Sequence, residues 1–312
     1  MTQPIPSLEA IGYAPFFEAQ LRELDGDRVP ARIAIAHGES YVCWMRDGVR
    51  KAVLSGRRIG EWMTAVERPQ VGDWVVGTYE DSNGILVIEH LLARRTCLVR
   101  RAAGESGNGQ VIASNVDVVG VVSAFGAGEN AARERRLINE DRLERYLAVV
   151  EQSGAAPLLI VNKSDLAAEP HKVIAMLSDL FPGVPVIWTS ARHDDGESGL
   201  GQLRAVLGAG QTLALVGMSG VGKSTLVNTL LGRHAQQTGE VRGADGRGRH
   251  TTTHRELFMM PSGALLIDTP GMREIALWTG NEQAEARRDP QASEGRPESE
   301  EHPRRRSGRR RG

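Results

Sequence analysis

The sequence predicts a small all-β barrel, then a larger α/β domain with a mostly parallel sheet, and finally a disordered tail. Short strand-like runs separated by turn residues fill residues 29–98, whereas apolar strand-like and helix-like runs alternate over residues 111–278. Residues 279–312 contain no Val, Ile, Leu, Met or aromatic residue, so they cannot bury enough apolar surface to offset the entropy lost on ordering.

The composition excludes several classes of protein. The 38 Lys and Arg residues nearly balance the 39 Asp and Glu residues, and the net charge of -1 excludes a uniformly basic nucleic-acid-binding chain. Cys43 and Cys97 are too few for a disulfide framework, and we expect both to be buried as small apolar residues. Neither a signal-peptide core nor an apolar run long enough for a bilayer is visible, which predicts a cytoplasmic protein with no membrane partner.

Residues 1–28 are predicted to form an N-terminal extension with a short amphipathic helix, because Phe16, Phe17 and Leu21 recur at helical spacing. The barrel follows as β-rich runs bounded by turn residues. The predicted strands are Val29–Ala36, Ser40–Met45, Gly48–Leu54, Asp73–Tyr79 and Gly84–His90. Short strands in this number favour an OB-fold, and the polar, Gly-rich segment Gly104–Gln110 is predicted to be a linker.

The alternation after residue 111 predicts parallel strands joined by helices that cover both faces of the sheet. Val116–Ser123 is mostly apolar and β-branched, which is typical of a strand buried on both faces. The remaining predicted strands are Pro157–Val161, Val184–Thr189, Thr212–Val216, Leu257–Met260 and Ala264–Ile267. The predicted helices are Leu137–Gln152, Val173–Phe181, Leu200–Leu207 and Lys223–Gly232.

A glycine-rich segment between a predicted strand and a predicted helix matches the P-loop pattern. Its residues are Gly217, Met218, Ser219, Gly220, Val221, Gly222, Lys223 and Ser224, and Thr225 is expected to join them in the binding site. Backbone N–H groups of such a loop surround phosphate oxygens, and the helix N-terminus adds a partial positive charge. We expect Lys223 to reach the β- and γ-phosphates and the Ser224 hydroxyl to bind Mg²⁺.

An Asn-Lys-x-Asp segment at the end of a predicted strand suggests guanine recognition, and it comprises Asn162, Lys163 and Asp165. The Asp165 carboxylate can accept from the ring N–H and the exocyclic amine of guanine, donors that adenine does not present in that arrangement. The Asn162 amide either holds the loop or meets a ring nitrogen, and the Lys163 stem covers the base. The predicted base-binding set also includes Leu166, Ser190 and Ala191.

Two further segments are predicted to sense the γ-phosphate. Asp268 follows the last predicted strand and suits an Mg²⁺ contact through water, while Gly271 lets the backbone approach the γ-phosphate. We interpret the polar, Gly-rich segment Gly246–Thr253 as a switch loop, in which Thr251 or Thr252 closes on Mg²⁺. Spacing alone does not choose between these two threonines.

Base recognition precedes the P-loop in this chain, whereas GTPases ordinarily begin with the P-loop, so the order is circularly permuted. With this order, the chain resembles the ribosome small-subunit-dependent GTPase family (RsgA, also called YjeQ) over residues 29–278. The resemblance extends to Val71–Trp74, Leu98–Gly104, Asn115–Asp117, Gly248–Glu256 and Asp268–Arg273. It implies a circularly permuted α/β P-loop GTPase preceded by an OB-fold, with GTP or GDP and Mg²⁺ as ligands.

The resemblance also implies partners and an activity. The implied partners are the 30S subunit and its 16S rRNA. The implied activity is GTP hydrolysis that the subunit stimulates during late 30S maturation. We expect the protein to be a monomer. Met272 occupies the position where many GTPases place a water-orienting Gln, and Met cannot orient water. His250 is the best replacement by its place in the switch loop and by the resemblance, the alternatives being a solvated loop residue or an RNA contact. With Lys223 on the phosphates but no fixed water-orienting group, we predict slow intrinsic hydrolysis.

The family normally continues into a C-terminal domain with a Cys-rich zinc site, whereas this chain has no Cys after Cys97. We therefore predict no zinc site and end the resemblance at Trp278. Two other functions stay open: an RNA- or ribosome-binding module with vestigial nucleotide chemistry, and a truncated product that lacks the zinc domain. The Arg-rich segment Arg304–Arg311 would either attach to rRNA electrostatically or stay solvated and inert.

Overall fold

The computed structural model describes residues 7–62, 67–80, 84–101, 109–126, 138–191, 199–232 and 255–268. The strands within these ranges are β1 (Val29–His37), β2 (Ser40–Met45), β3 (Gly48–Leu54), β4 (Trp74–Tyr79), β5 (Leu86–Leu91), β6 (Cys97–Arg101), β7 (Gly109–Ser114), β8 (Val118–Ala124), β9 (Ala156–Asn162), β10 (Val186–Thr189), β11 (Thr212–Gly217), β12 (Glu256–Met259) and β13 (Leu265–Asp268). The helices are α1 (Pro15–Arg22), α2 (Gly56–Glu61), α3 (Glu140–Ser153), α4 (Pro170–Leu180), α5 (Gly199–Val206) and α6 (Lys223–Leu230), with 3₁₀ turns at Glu9–Ile11 and Ser164–Leu166.

Strands β1 to β5 close into a barrel, because β1 pairs with β2 on one side and with β4 on the other. Their order is β1-β2-β3-β5-β4, with β3 and β5 parallel and the other neighbours antiparallel. The barrel core consists of apolar side chains from all five strands, including Ile33, Tyr41, Cys43, Val75 and Ile88. The closed five-stranded barrel confirms the OB-fold that the sequence predicts.

Strands β6 and β7 form an antiparallel hairpin, which the sequence pattern does not predict. Leu98 and Ile112 of this hairpin are buried in the same core as the α/β sheet, and that burial stabilises the pairing. The sequence predicts a linker over Gly104–Gln110, but Gly109 and Gln110 belong to β7. Residues 102–108 of that predicted linker lie outside the described residues.

Six strands form the α/β sheet in the order β10-β9-β8-β11-β13-β12, and every neighbouring pair except β13 and β12 is parallel. Side chains of α3 and α4 join the apolar core on one face, and those of α5 and α6 join the core on the other. Every residue of β8 is buried. The predicted mostly parallel sheet with helices on both faces is therefore confirmed.

Two features join the barrel to the α/β sheet. Ile35 of β1 lies opposite Glu256 of β12, so the barrel strands and the α/β strands form one continuous eleven-stranded sheet. Arg32 is the second junction, because its fully buried guanidinium donates hydrogen bonds to four separate segments of the chain. The acceptors are the carbonyl oxygens of Ile11, Gly72 and Asn115 and the hydroxyl of Thr212.

Described residues of the predicted N-terminal extension pack against the barrel. Ile11 and Phe17 are fully buried in an apolar cluster with Trp74 of β4. The predicted amphipathic helix is present as α1, although Phe16 on its other side is exposed. The apolar side chains between Leu8 and Leu24 thus pack on the outer surface of the barrel.

The predicted disordered tail, residues 279–312, lies outside the described residues. Within the described ranges, no helix is both long and apolar enough to cross a membrane. Both cysteines are free thiols, and Cys43 is buried as expected whereas Cys97 is only partly buried.

Candidate nucleotide-binding site

The candidate site lies at the carboxyl ends of β8, β9 and β11. Strands β8 and β11 are parallel neighbours, but the helix that follows β8 packs on one face of the sheet and the helix that follows β11 packs on the other. Ligands of open α/β sheets bind in the crevice that forms where the chain departs in opposite directions. The predicted P-loop and the Asn-Lys-x-Asp segment both follow strands that end at this crevice.

The P-loop turns sharply because three of its glycines, Gly217, Gly220 and Gly222, have a positive φ that other residues rarely adopt. Gly217 has a φ of 140°, and a Cβ atom there would lie 2.2 Å from the carbonyl oxygen of Val122. Gly222 has a φ of 93°, and a Cβ atom there would lie 2.4 Å from Nδ2 of Asn162. Helix α6 begins at the next residue, Lys223, so the N-terminus of the helix, with its partial positive charge, follows the loop directly.

The Lys223 side chain folds over the loop that precedes it. Its Nζ atom donates to the carbonyl oxygens of Gly217 and Met218, each at 2.6 Å. Ser224 and Thr225 follow in the first turn of α6, and both are exposed. The loop thus presents an ammonium group, backbone N–H groups and two hydroxyls, which is the set of groups that a polyphosphate requires.

Asn162, at the end of β9, connects the two predicted motifs. Its Nδ2 donates to the carbonyl oxygen of Val221 in the P-loop at 2.9 Å, and its Oδ1 accepts from the backbone N–H of Ala191 at 3.1 Å. Of the two roles that the sequence left open, these bonds support the one in which Asn162 holds the loops together. Lys163 adds a second connection, since its Nζ donates to the carbonyl oxygen of Gly220 at 2.6 Å.

Asp165 lies in the 3₁₀ turn after Lys163 and is oriented by a neighbouring loop. The hydroxyl of Ser190 donates to its Oδ1 at 2.6 Å. Leu166, in the same turn, is exposed. The hydroxyl of Thr229 on α6 donates to the carbonyl oxygen of Ala191 at 3.0 Å, so the loop that holds Ser190 is itself attached to the P-loop helix. The predicted base-binding residues therefore form one connected group with the P-loop.

Asp268 ends β13, which lies beside β11 in the sheet. The Ser224 hydroxyl and the Asp268 carboxylate supply oxygen atoms, and these are the ligands that Mg²⁺ prefers. The part of the chain that the structure describes contains no cluster of three or more His, Cys, Asp or Glu side chains suited to a metal ion. An Mg²⁺ ion that is held mainly by phosphates and water needs few protein ligands, and these two oxygen donors fit it.

Several predicted residues lie outside the described residues and have no structural account. They are the switch-loop residues His250, Thr251 and Thr252, and the γ-phosphate segment residues Gly271 and Met272.

Sequence reasoning missed one residue beside the P-loop, Arg142 in the first turn of α3. Its guanidinium contacts Sδ of Met218, and its backbone N–H is capped by Oδ1 of Asn139 at 2.9 Å. Asn139 caps the helix two residues after the predicted start at Leu137. The contact with Met218 was not visible, because 76 residues separate the two side chains.

A permuted sheet with a P-loop bonded to an Asn-Lys-x-Asp segment defines a circularly permuted P-loop GTPase. The chain belongs to the RsgA GTPase family, whose family model matches residues 91–278. It is 40% identical over 249 residues to small ribosomal subunit biogenesis GTPase RsgA 1 of Oceanobacillus iheyensis, with 80% of this chain and 68% of the relative covered. It is 41% identical over 285 residues to small ribosomal subunit biogenesis GTPase RsgA of Syntrophotalea carbinolica, with 88% and 74% covered.

Solved structures support the fold. YjeQ from Thermotoga maritima matches with a TM-score of 0.57 at 22% identity, over 80% of this chain and 77% of that one. YloQ, described as a circularly permuted GTPase, matches with a TM-score of 0.55 at 23% identity, over 80% and 74%. The permuted order that the sequence predicts is therefore confirmed.

Proposed function

We propose that this chain hydrolyses GTP during late maturation of the small ribosomal subunit, with slow intrinsic turnover that the 30S subunit accelerates. The bonding of Asn162 to both Val221 and Ala191 carries the proposal, because it unites two distant motifs in one guanine-nucleotide site. The relatives described above are named small ribosomal subunit biogenesis GTPases, which supports the assignment to that subunit.

Guanine selection follows from the orientation of Asp165. The Ser190 hydroxyl occupies one lone pair of Oδ1, which leaves the rest of the carboxylate to accept from the ring N–H and exocyclic amine of guanine. Adenine presents no such pair of donors, so the carboxylate would lose its hydrogen bonds on binding ATP. The aliphatic stem of Lys163, whose Nζ donates to the carbonyl oxygen of Gly220, would cover the base.

Phosphate binding follows from the P-loop. Backbone N–H groups between Gly217 and Lys223 and the Lys223 ammonium would hold the β- and γ-phosphates. The Ser224 hydroxyl and, through water, the Asp268 carboxylate would hold Mg²⁺, with Thr251 or Thr252 as a further ligand. Bound Mg²⁺ supplies neutralisation of the charge that develops on the phosphate oxygens. The Gly271 backbone would approach the γ-phosphate.

Hydrolysis requires a group that orients water, and the proposal assigns this role to His250. The support is its place in the predicted switch loop together with Met272 at the position where many GTPases have Gln. If His250 orients water only when the ribosomal subunit is bound, intrinsic turnover stays slow.

The proposed partners are the 30S subunit and its 16S rRNA, bound by a cytoplasmic monomer. The proposed domains are the OB-fold over residues 29–98 and the GTPase over residues 111–278, and the structure adds the β6–β7 hairpin between them. Zinc is not part of the proposal, because the chain has no Cys after Cys97.

The described aromatic residues of the barrel give little support to the alternative of an RNA-binding module with vestigial nucleotide chemistry. Tyr41 and Trp74 are buried, so their faces cannot stack on bases. Trp62 is covered by the Arg58 guanidinium at 5.5 Å, and the Tyr79 hydroxyl is bonded to Asp47. Trp44 is partly buried, whereas the Tyr79 ring is exposed, so packing accounts for these aromatic residues except Tyr79.

The test is nucleotide binding and turnover by the purified chain, with and without 30S subunits. We expect binding of GTP and GDP but not ATP, and turnover that rises in the presence of 30S. Lys223→Met should lower the turnover by at least about a hundredfold, because the phosphates lose their main cation. Lys172→Met is the matched control, since Lys172 is an exposed helical lysine paired with Glu169. Equal affinity for ATP, or turnover that Lys223→Met leaves unchanged, would contradict the proposal.

A further inference from the structure

Strand β12 lies between the barrel and the strand that carries Asp268. Ile35 of β1 lies opposite Glu256 of β12, and Glu256 in turn lies opposite Asp268 of β13. The three residues form a row across three neighbouring strands, and two strand spacings amount to about 10 Å. A displacement of the barrel relative to β12 would therefore shift the Asp268 carboxylate, which is proposed to act beside the γ-phosphate.

Arg255, the residue before β12, attaches this strand to two elements outside the α/β sheet. Its Nη1 donates to the carbonyl oxygen of Val111 in the β6–β7 hairpin at 2.6 Å. The same atom donates to Oε1 of Gln70, in the turn before β4 of the barrel, at 3.3 Å. One side chain thus spans hairpin, barrel and β12.

The turn that contains Gln70, which accepts a hydrogen bond from Arg255, is fixed by several further contacts. The backbone N–H of Gln70 donates to Oδ2 of Asp73 at 2.8 Å, and the fully buried Asp73 carboxylate accepts from Arg94 at 2.7 and 2.8 Å. The next residue but one, Gly72, passes so close to the hairpin that a Cβ atom there would lie 2.1 Å from the carbonyl oxygen of Ser114. A turn with these constraints moves together with the barrel, so Arg255 is bonded to a rigid support.

We propose that Arg255 is a positioning residue for GTP hydrolysis, which fixes β12 and thereby Asp268 relative to the barrel. The inference rests on the proposed function of Asp268 and of the barrel. In this role Arg255 acts through β12 and not on the nucleotide itself, and it determines how strongly a partner bound to the barrel biases the γ-phosphate side of the site. The row Ile35–Glu256–Asp268 is the physical element that couples the barrel to the γ-phosphate side of the site.

Arg255→Met tests this role, because it keeps the length of the side chain and removes its donors. We expect kcat at saturating 30S to fall about tenfold while KM for GTP changes by less than about twofold, because a misplaced carboxylate impairs the reaction more than it impairs binding. Arg255→Lys retains one donor group for Val111 and should recover part of the loss. Arg57→Met is the matched control, since Arg57 is an exposed barrel arginine paired with Glu61.

Hydrogen exchange supplies a second readout that does not depend on ribosomes. In the unsubstituted protein, a non-hydrolysable GTP analogue and GDP should give different exchange in β1, and Arg255→Met should abolish that difference. A thermal melt of each variant separates loss of coupling from loss of folding.

The outcomes distinguish this inference from the proposed function. Absence of GTP turnover in the unsubstituted protein overturns the proposed function, and the exchange experiment then decides the inference by itself. If β1 does not respond to nucleotide, or if its response persists in Arg255→Met, the inference is overturned. An Arg255→Met protein with unchanged 30S-stimulated kcat also overturns it, while leaving the proposed function intact.

Discussion

Gly222 has two constraints at a single residue, a positive φ and close contact with the Asn162 amide. The glycine spacing of the P-loop predicts the first constraint from the sequence, because only glycine adopts such an angle without strain. The second could not be predicted, since 60 residues separate the two positions in the chain and their contact depends on β8 lying between β9 and β11. The position therefore serves the loop and the base-recognition segment together.

Gly222→Ala should weaken GDP binding by at least about tenfold, because the added Cβ both strains the backbone and displaces the Asn162 amide. Gly220→Ala is the matched control: Gly220 also has a positive φ, of 84°, but no atom lies within 4 Å of the Cβ it would acquire. Titration with a fluorescent GDP derivative measures both affinities. Equal losses in the two variants would show that the contact with Asn162 contributes nothing.

Arg32 is a buried cation that is satisfied by carbonyl and hydroxyl oxygens rather than by a directly bonded carboxylate. Burial lowers the pKa of this guanidinium to about 10, so it is charged at neutral pH. Sequence reasoning gave no sign of its role, because an arginine in a strand is ordinarily expected at the surface. Its partners come from four segments that only the tertiary fold brings together.

Arg32→Met should lower the free energy of unfolding by about 3 kcal/mol, because the substitution leaves several buried acceptors without donors. Arg50→Met, which removes an exposed arginine paired with Asp47, should cost about 0.5 kcal/mol or less. Urea denaturation of both variants measures the difference. A loss in Arg32→Met as small as that in Arg50→Met would show that water replaces the guanidinium at no cost.

At the scale of elements, the sequence predicts strands well where apolar alternation and turn residues agree. The bounds of β2 and β3 match the prediction in full, and those of β1 and β4 differ from it by one residue at one end. Strands β6 and β7 were not predicted, because the polar segment between them resembles a linker. Helix α2 was not predicted, because two glycines interrupt a sequence of only six residues, although Ser55 caps it.

The N-cap of α3 is an element-scale feature that can be tested alone. Asn139→Ala removes the acceptor that Arg142 N–H uses and should lower the free energy of unfolding by about 1 kcal/mol. Asn139→Asp keeps an acceptor at the positive end of the helix and should retain the stability. Urea denaturation again supplies the measurement. If the alanine variant is as stable as the aspartate variant, the cap contributes nothing to the fold.

At the scale of the whole molecule, the order of the motifs predicted the permuted fold, which is confirmed. It did not predict that the barrel and the α/β strands form one continuous sheet, because pairing between β1 and β12 depends on residues more than 200 positions apart. Short motifs report local chemistry, which is why Gly217–Ser224 and Asn162–Asp165 could be recognised. The contacts that join them arise from the packing of complete strands.

The central claim is that Asp165 selects guanine in a site that hydrolyses GTP. Asp165→Asn exchanges a carboxylate for an amide, whose N–H can donate to the carbonyl that xanthine carries where guanine has its amine. The decisive measurement is 30S-stimulated turnover of GTP and of xanthosine triphosphate by both proteins. We predict that the substitution reverses the preference from GTP to xanthosine triphosphate by at least about a hundredfold, since each site leaves the wrong base with unpaired polar groups. An Asp165→Asn protein that still prefers GTP would contradict the account.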